Sequence, residues 1–232
     1  MNGFDQAIFD AMGRFAGKNP GFDLAVGQWV RAEIVGKGDV ALALFWGVWF
    51  LPREPRRDRR EVLIATAIAG ALAVLAGRGI GLAFPFRLRP IHAPSLQFIL
   101  PYGARDTALR GWSSFPSDHA MVWAAIATGV GTVAPIAGWI IAFVTLALVC
   151  LPRVYLGLHY PTDIVGGYLI GAIIAWAFTH GRARTTLARP LLALEERAPH
   201  VFYAAAFFAS LHLADMFVQL RAVLRLIKGV PV

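Results

Sequence analysis

Residues 119–158 are the longest apolar stretch in the chain, and they are too many for one helix across a bilayer. Roughly forty residues would extend about 60 Å as helix, against about 30 Å of hydrocarbon. The stretch must therefore be two spans, with Gly131, Pro135 and Gly138 marking the turn between them. A hairpin returns its two ends to the same side of the membrane, so His119 and Arg153 become neighbours in depth.

The rest of the chain continues this pattern. A short apolar run from about Asp39 to Leu51 is expected to start a few residues earlier, and a second runs from Val62 to Phe84, ending at Pro85. After the hairpin, Pro161 opens a span from about Thr162 to Thr179. A sixth apolar run covers Val201 to Leu220 and is broken by His212 and Asp215. Residues 1–36 mix polar and apolar positions, with Asp5, Asp10, Arg14, Lys18 and Asp23 interrupting, and read as short helices on the membrane surface. They lack the basic start, apolar core and small-residue cleavage site of a signal peptide. Hydrophobic residues make up 57% of the 232 and charged residues 16%, where a soluble domain carries about 25% charged. The expected fold is an all-α, polytopic transmembrane bundle of about six spans. It forms one domain over 1–232, with an interfacial segment (1–36), a catalytic bundle (38–180) and an accessory C-terminal helix (200–228).

The net charge of +8 is concentrated between spans. Arg53, Arg56, Arg57, Arg59 and Arg60 form one group, and Arg182, Arg184, Arg189 and Arg197 lie in a second segment, 181–199, read as a loop. Cytoplasmic loops carry such an excess of Lys and Arg, so these two belong on the cytoplasmic side of a bacterial inner membrane, and nucleic acid is excluded as a partner. Segments 85–117 and 152–161 then share the periplasmic, outer side. The basic residues Arg221, Arg225 and Lys228 fall outside as well, against the rule. Cys150, the one cysteine, lies in an apolar run and forms no metal or disulfide pattern.

Three polar clusters gather on that outer side: Arg87-Leu88-Arg89-Pro90, Ser113 to His119, and Arg153 to Asp163. Converging guanidinium groups suit a tetrahedral oxyanion. Two histidines, His119 and His159, can divide the work of nucleophile and general acid. Asp163, four residues after His159, can fix that imidazole's tautomer. Helix starts after His119 and near Pro161 add backbone N–H groups that favour an anion. No step needs a metal or another cofactor.

These clusters resemble the three signature motifs of the type 2 phosphatidic acid phosphatase superfamily, which also includes vanadium haloperoxidases and bacterial acid phosphatases. The family pattern is Lys-x6-Arg-Pro, then Pro-Ser-Gly-His, then Ser-Arg-x5-His-x3-Asp. Here Arg89-Pro90 matches, but Leu82 stands at the lysine position, and either Arg78 or Arg87 can supply the cation. Pro116-Ser117-Asp118-His119 carries Asp118 where the family has glycine, a form similar to the bacitracin-resistance branch, the undecaprenyl diphosphate phosphatases. Pro152 replaces the leading serine of the third motif, whereas Arg153, His159 and Asp163 match in full.

The resemblance implies a phosphohistidine at His159, oriented by Asp163, with His119 protonating the leaving oxygen. It implies a phosphate cradle of Arg89, Arg153 and Ser117, assisted by Arg78 or Arg87. Asp118, a carboxylate beside that cradle, is expected to pair with Arg87 or Arg78. The implied substrate is a lipid phosphate or diphosphate, foremost undecaprenyl diphosphate. Phosphatidylglycerol phosphate, phosphatidate or lipid A phosphate is the alternative, and a protein that only binds or transports such lipids is a further one.

Overall fold

The computed structural model describes residues 1–31, 38–52, 55–96, 98–104 and 109–216. Among them nine helices form and no strands: α1 (Gly3–Gly13), α2 (Pro20–Arg31), α3 (Asp39–Trp49), α4 (Arg56–Ala83), α5 (Asp118–Val133), α6 (Pro135–Tyr155), α7 (Pro161–Thr179), α8 (Gly181–Arg197) and α9 (Pro199–Ala214). Two short 3₁₀ turns, Pro90–His92 and Pro94–Leu96, lie between α4 and α5. Arg53, Arg105 and residues 217–232, and with them the end of the sixth run and the basic residues beyond it, lie outside the described residues.

Three helices, α4, α6 and α7, are long and apolar enough to cross a membrane. The described part of α3 has 11 residues and α5 and α9 have 16 each, so these three are shorter than about twenty. The chain is a multi-pass, all-helical membrane protein. The 119–158 hairpin is present: α5 and α6 meet at Ala134, one residue before Pro135. The turn is tight because Gly138 packs on Gly131, where an added Cβ would come within 2.5 Å of the Gly131 Cα.

α5 is the axis of the bundle. Ala120 to Ala127 are all buried, and α4, α6 and α7 surround them. The approach of α7 is closest where glycine faces backbone. A Cβ on Gly167 would lie 2.8 Å from the Ser117 carbonyl and 2.8 Å from the Ala120 Cβ, and one on Gly171 would run into the Met121 carbonyl.

Residues 181–199 correct the expected loop, because all but the last few form α8. Arg182, Arg189 and Arg197 face outward, while Ala188 and Leu192, one turn apart, are buried with Leu191 and Leu194 packed on the core, and Arg184, one turn before Ala188, turns toward α4. Ion pairs tie α8 to the start of α4: Arg60–Glu195 at 2.5 Å, Arg184–Glu61 at 3.4 Å and Arg57–Glu196 at 3.8 Å. Both arginine-rich segments therefore sit at one end of the bundle. Arg78 lies about 30 Å further along α4 by the helical rise, at the opposite end.

The N-terminal segment does more than lie on a surface. Asp5 and Asp23 are fully buried, and Asp23 accepts from the Gly17 amide (2.9 Å), the Tyr102 amide (3.0 Å) and the Tyr155 hydroxyl. Trp29 donates its indole N–H to the Leu148 carbonyl at 2.7 Å. That carbonyl needs a donor because its helical partner four residues on is Pro152, which has no N–H. The ring's clash with the preceding turn also accounts for residues Leu146–Cys150 widening into a π turn, with Leu151 N–H reaching the Leu146 carbonyl.

Candidate active site

His159 sits on the loop between α6 and α7, buried, with both ring nitrogens engaged. Nδ1 contacts the Ser114 carbonyl at 2.9 Å, and as that oxygen can only accept, Nδ1 carries the proton. Nε2 keeps its lone pair and faces Arg89 Nη1 at 3.3 Å. Burial lowers the imidazole's affinity for a proton below the ordinary histidine value; nearby Asp163 partly restores it and the Arg89 charge lowers it again. The group is a neutral imidazole whose Nε2 lone pair is held only by the long Arg89 contact, which an anion binding that guanidinium would release for attack.

Asp163 was expected to bond His159 directly, but its Oδ2 lies 3.6 Å from Nδ1, beyond hydrogen-bond range. The carboxylate instead accepts from the Ser114 hydroxyl (2.5 Å), the Tyr160 amide (2.8 Å) and Arg87 Nη1 (2.6 Å). It reaches His159 at one remove, by holding Ser114, whose carbonyl accepts from the imidazole Nδ1–H. At position N3 of α7, Asp163 also caps the helix by accepting the Tyr160 N–H.

The arginines divide into two groups. Arg89 and Arg78 line a cleft of about 90 Å³ together with His159 and Asp118. Arg89 is anchored by the Leu158 carbonyl at 2.5 Å and the Ser113 carbonyl at 3.1 Å, and burial brings its pKa down to about 10, still a cation at neutral pH. Arg78 pairs with Asp118 at 2.6 Å and stacks over Trp112, its Cζ 4.4 Å from the ring centre. The Nε atoms of both arginines are buried without a hydrogen-bond partner among the described residues. Gly77 makes room for the Asp118 carboxylate, since a Cβ there would lie 2.7 Å from Oδ1. Leu82, at the family's lysine position, also borders the cleft and is 85% exposed.

Arg87 does not line this cleft. It lies behind Asp163, bridging that residue to Asp5 (3.1 Å), donating to Thr162 Oγ1 (3.1 Å) and covering the Tyr160 ring. Two buried carboxylates hold it there, so the expected choice between Arg78 and Arg87 as cleft cation and as Asp118's partner goes to Arg78. The α7 start is not open to an anion either, because the Thr162 amide donates to Asp5 Oδ1 at 2.9 Å.

His119 and Arg153 meet as the hairpin required, Arg153 Nη2 donating to His119 Nε2 at 2.9 Å. Arg153 Nη1 holds the Val149 carbonyl at 2.6 Å. Both residues adjoin the cleft without lining it, and His119 is close enough to His159 for their charges to interact. Ser117 is buried and caps α5 by accepting the Ala120 amide at 3.4 Å. Asp5 and Ser114 had no role in the sequence reading. A hollow of about 540 Å³, sharing Phe86, Arg89 and Trp112 with the cleft, opens beside it. An apolar groove of about 310 Å³ between α3, α4, α8 and α9 lies away from these groups. No cluster of potential metal ligands occurs among the described residues.

Known proteins resemble the chain in sequence. The chain is 28% identical over 120 residues to the undecaprenyl-diphosphatase of Sulfolobus acidocaldarius, covering 50% of this chain and 53% of that protein. It is 30% identical over 122 residues to undecaprenyl-diphosphatase BcrC of Bacillus subtilis, covering 53% and 58%. It is 35% identical over 123 residues to decaprenylphosphoryl-5-phosphoribose phosphatase of Mycobacterium tuberculosis, covering 52% and 60%. The chain thus spans between half and three fifths of the length of these relatives. No solved structure matches. The sequence profile of the PAP2 superfamily matches residues 61–187, more than half of the chain, from the ion-paired start of α4 through the cleft to α8, and the protein belongs to that superfamily.

Proposed function

We propose that this protein is a membrane lipid phosphatase that hydrolyses a polyprenyl diphosphate, foremost undecaprenyl diphosphate to the monophosphate, through a phosphohistidine. The observation that carries this is His159, neutral, with its lone-pair nitrogen turned toward a cleft walled by Arg89 and Arg78, whose buried Nε groups have no hydrogen-bond partner among the described residues. Nε2 attacks the terminal phosphorus and the bridging P–O bond breaks. The phosphoryl oxygens take up the Arg89 and Arg78 donors, and the leaving lipid phosphate receives a proton from His119. Before it can donate from Nε2, His119 must be released by Arg153 and take up a proton there, and an incoming phosphate serves both needs by offering that guanidinium an anion and the imidazole its own P–OH proton. Water then attacks the phosphohistidine, gives its proton back to His119 and liberates inorganic phosphate. Ser117 supports the cradle from the start of α5.

The polyprenyl tail is favoured because the names of the three relatives share a polyprenyl-linked phosphate. Orientation follows from the arginine-rich end formed by α4 and α8, which belongs in the cytoplasm, so the cleft faces the periplasm of a bacterial inner membrane. The hollow beside the cleft supports a second reading, a phosphate carried on a lipid-linked sugar.

The test is phosphate release by the purified protein from undecaprenyl diphosphate, a lipid-linked sugar phosphate and phosphatidate, with labelled substrate used to trap the phosphoenzyme. An acid-labile, base-stable adduct is expected in wild type and none in His159→Ala. Turnover should survive excess chelator and be inhibited by orthovanadate. Near-normal hydrolysis by His159→Ala would sink the mechanism, and exclusive turnover of phosphatidate would sink the polyprenyl assignment.

A further inference from the structure

Asp5, in the N-terminal segment, is fully buried against the start of α7. Four donors converge on its carboxylate: Arg87 Nη2 at 3.1 Å, the Thr162 amide at 2.9 Å, Thr162 Oγ1 at 2.8 Å and Asn2 Nδ2 at 3.0 Å. The other end of the Arg87 guanidinium donates to Asp163 at 2.6 Å. Asp5, Arg87 and Asp163 therefore form one unit, two fully buried negative charges joined by a partly buried positive one.

A surplus negative charge is costly to bury unless something balances it. The group beside this unit that gains positive charge is His159. Its imidazole is neutral at rest and becomes cationic when Nε2 bonds to phosphorus or a proton. The other charged or titratable groups around His159 are Arg89 from the 85–89 segment, Arg78 from α4, and Asp118 and His119 from α5, with Arg153 of α6 held against His119. Arg89 opposes a cation there, and Asp118 is engaged by Arg78. The Asp5–Arg87–Asp163 unit is thus the source of counter-charge that an Asp163–Arg87 pair alone, being neutral, would lack.

We infer that Asp5 is a positioning residue for phosphoryl transfer: it holds Arg87 between two carboxylates and so keeps Asp163 a net anion toward His159. This rests on His159 being the nucleophile. Asp5 touches neither substrate nor reacting atoms and acts through Arg87. The N-terminal segment is by this route part of the machinery, although the family profile begins only at residue 61.

The sign of the charge separates this from a structural plug. Asp5→Asn keeps the shape and removes one negative charge. Its expected effect is a fall of about tenfold in kcat, KM within twofold, and an acid limb of the kcat/KM profile displaced to lower pH. Arg87→Gln removes the positive charge and should displace the limb to higher pH. Asp5→Glu, which restores the charge, should return the limb toward the wild-type position. The variants are compared in detergent against undecaprenyl diphosphate, with thermal unfolding followed in parallel. Unmoved limbs in Asp5→Asn and Arg87→Gln, or displacement of both in the same direction, would overturn the inference. Should Asp5→Asn fail to fold, Arg87→Gln and Asp5→Glu carry the test, and an unmoved limb in Arg87→Gln is sufficient to refute. His159→Ala serves as control. If it remains active the nucleophile assignment itself falls, whereas an inactive His159→Ala beside unmoved limbs removes only the role of Asp5.

Discussion

Gly167→Ala tests whether the close contact of α5 and α7 is what aligns the catalytic groups. The added Cβ would stand 2.8 Å from the Ser117 carbonyl, 2.8 Å from the Ala120 Cβ and 3.4 Å from the Met121 amide. Carbon atoms rest at about 3.5–4.0 Å, so the helices must part by roughly 0.7–1 Å at this level. Two of the three obstacles are backbone atoms and the third is a methyl on the helix itself, so none can swing away. Alanine gains about 1 kcal/mol over glycine in a helix, and overpacking costs about 1–3 kcal/mol, so net stability falls by about 0–2 kcal/mol. Activity should suffer more. Gly167 lies one turn after Asp163 and faces the Ser117 cap of the helix that carries His119, and a displacement near 1 Å can cost about a hundredfold in rate. Gly47→Ala in α3, where an added Cβ meets nothing within 4 Å, supplies the control and should keep full activity with unchanged or slightly raised Tm. The assay is phosphate release beside thermal unfolding in the same detergent. Wild-type turnover and Tm in Gly167→Ala would show that the α5–α7 spacing does not govern the site.

Asp118→Gly should slow diphosphate turnover more than monophosphate turnover, because it frees Arg78 from its 2.6 Å pairing at the cleft, and adding Arg78→Ala should cost little more. Equal losses on both substrates, or additive losses in the double variant, would make Asp118 neutral to substrate choice. The acid limb of kcat/KM should lie below pH 6.5: burial lowers the His159 value, so the imidazole stays unprotonated, and able to attack, as pH falls to that point. A limb above 7 would contradict that. Asp23 is held below the usual carboxylate range: burial alone would raise it, but the bonds from Tyr155, Tyr102 and Gly17 outweigh that effect. A depressed carboxylate stabilises above its unfolded value of about 3.9 and loses that contribution as pH falls through the folded value. Asp23→Asn should therefore loosen residues 1–31 at neutral pH, as strong acid does in wild type, seen as faster proteolytic cleavage within them; unchanged cleavage would refute it.

What could be read from the sequence was whatever depends on length and charge alone. Forty apolar residues cannot cross once, so the α5–α6 hairpin and the meeting of His119 with Arg153 followed without coordinates. The pairing of side chains across helices was not so accessible. Arg78 and Arg87 were equivalent as letters, and the Asp5 carboxylate, 82 residues before Arg87, decided between them. Asp5 itself left no signal, being one acid among several in a segment without clear periodicity. The Ser114 contact escaped because a backbone carbonyl makes it, which any residue type can supply. α8 was read as a loop on its arginines, although Ala188 and Leu192 already carry the one-turn spacing of a buried face.

The Asp5–Thr162 contact joins residues 157 positions apart, and this has a consequence for how the enzyme is made. At roughly 5–20 residues per second, about ten to thirty seconds of synthesis separate the two. During that interval the N-terminal helices must wait at the membrane surface while α3 to α6 insert, with Asp5 still in water and Arg87 without its second carboxylate. Docking becomes possible only once the start of α7 has emerged. Thr162 and Asp163 then arrive together, so Asp5 and Arg87 gain their partners in one step.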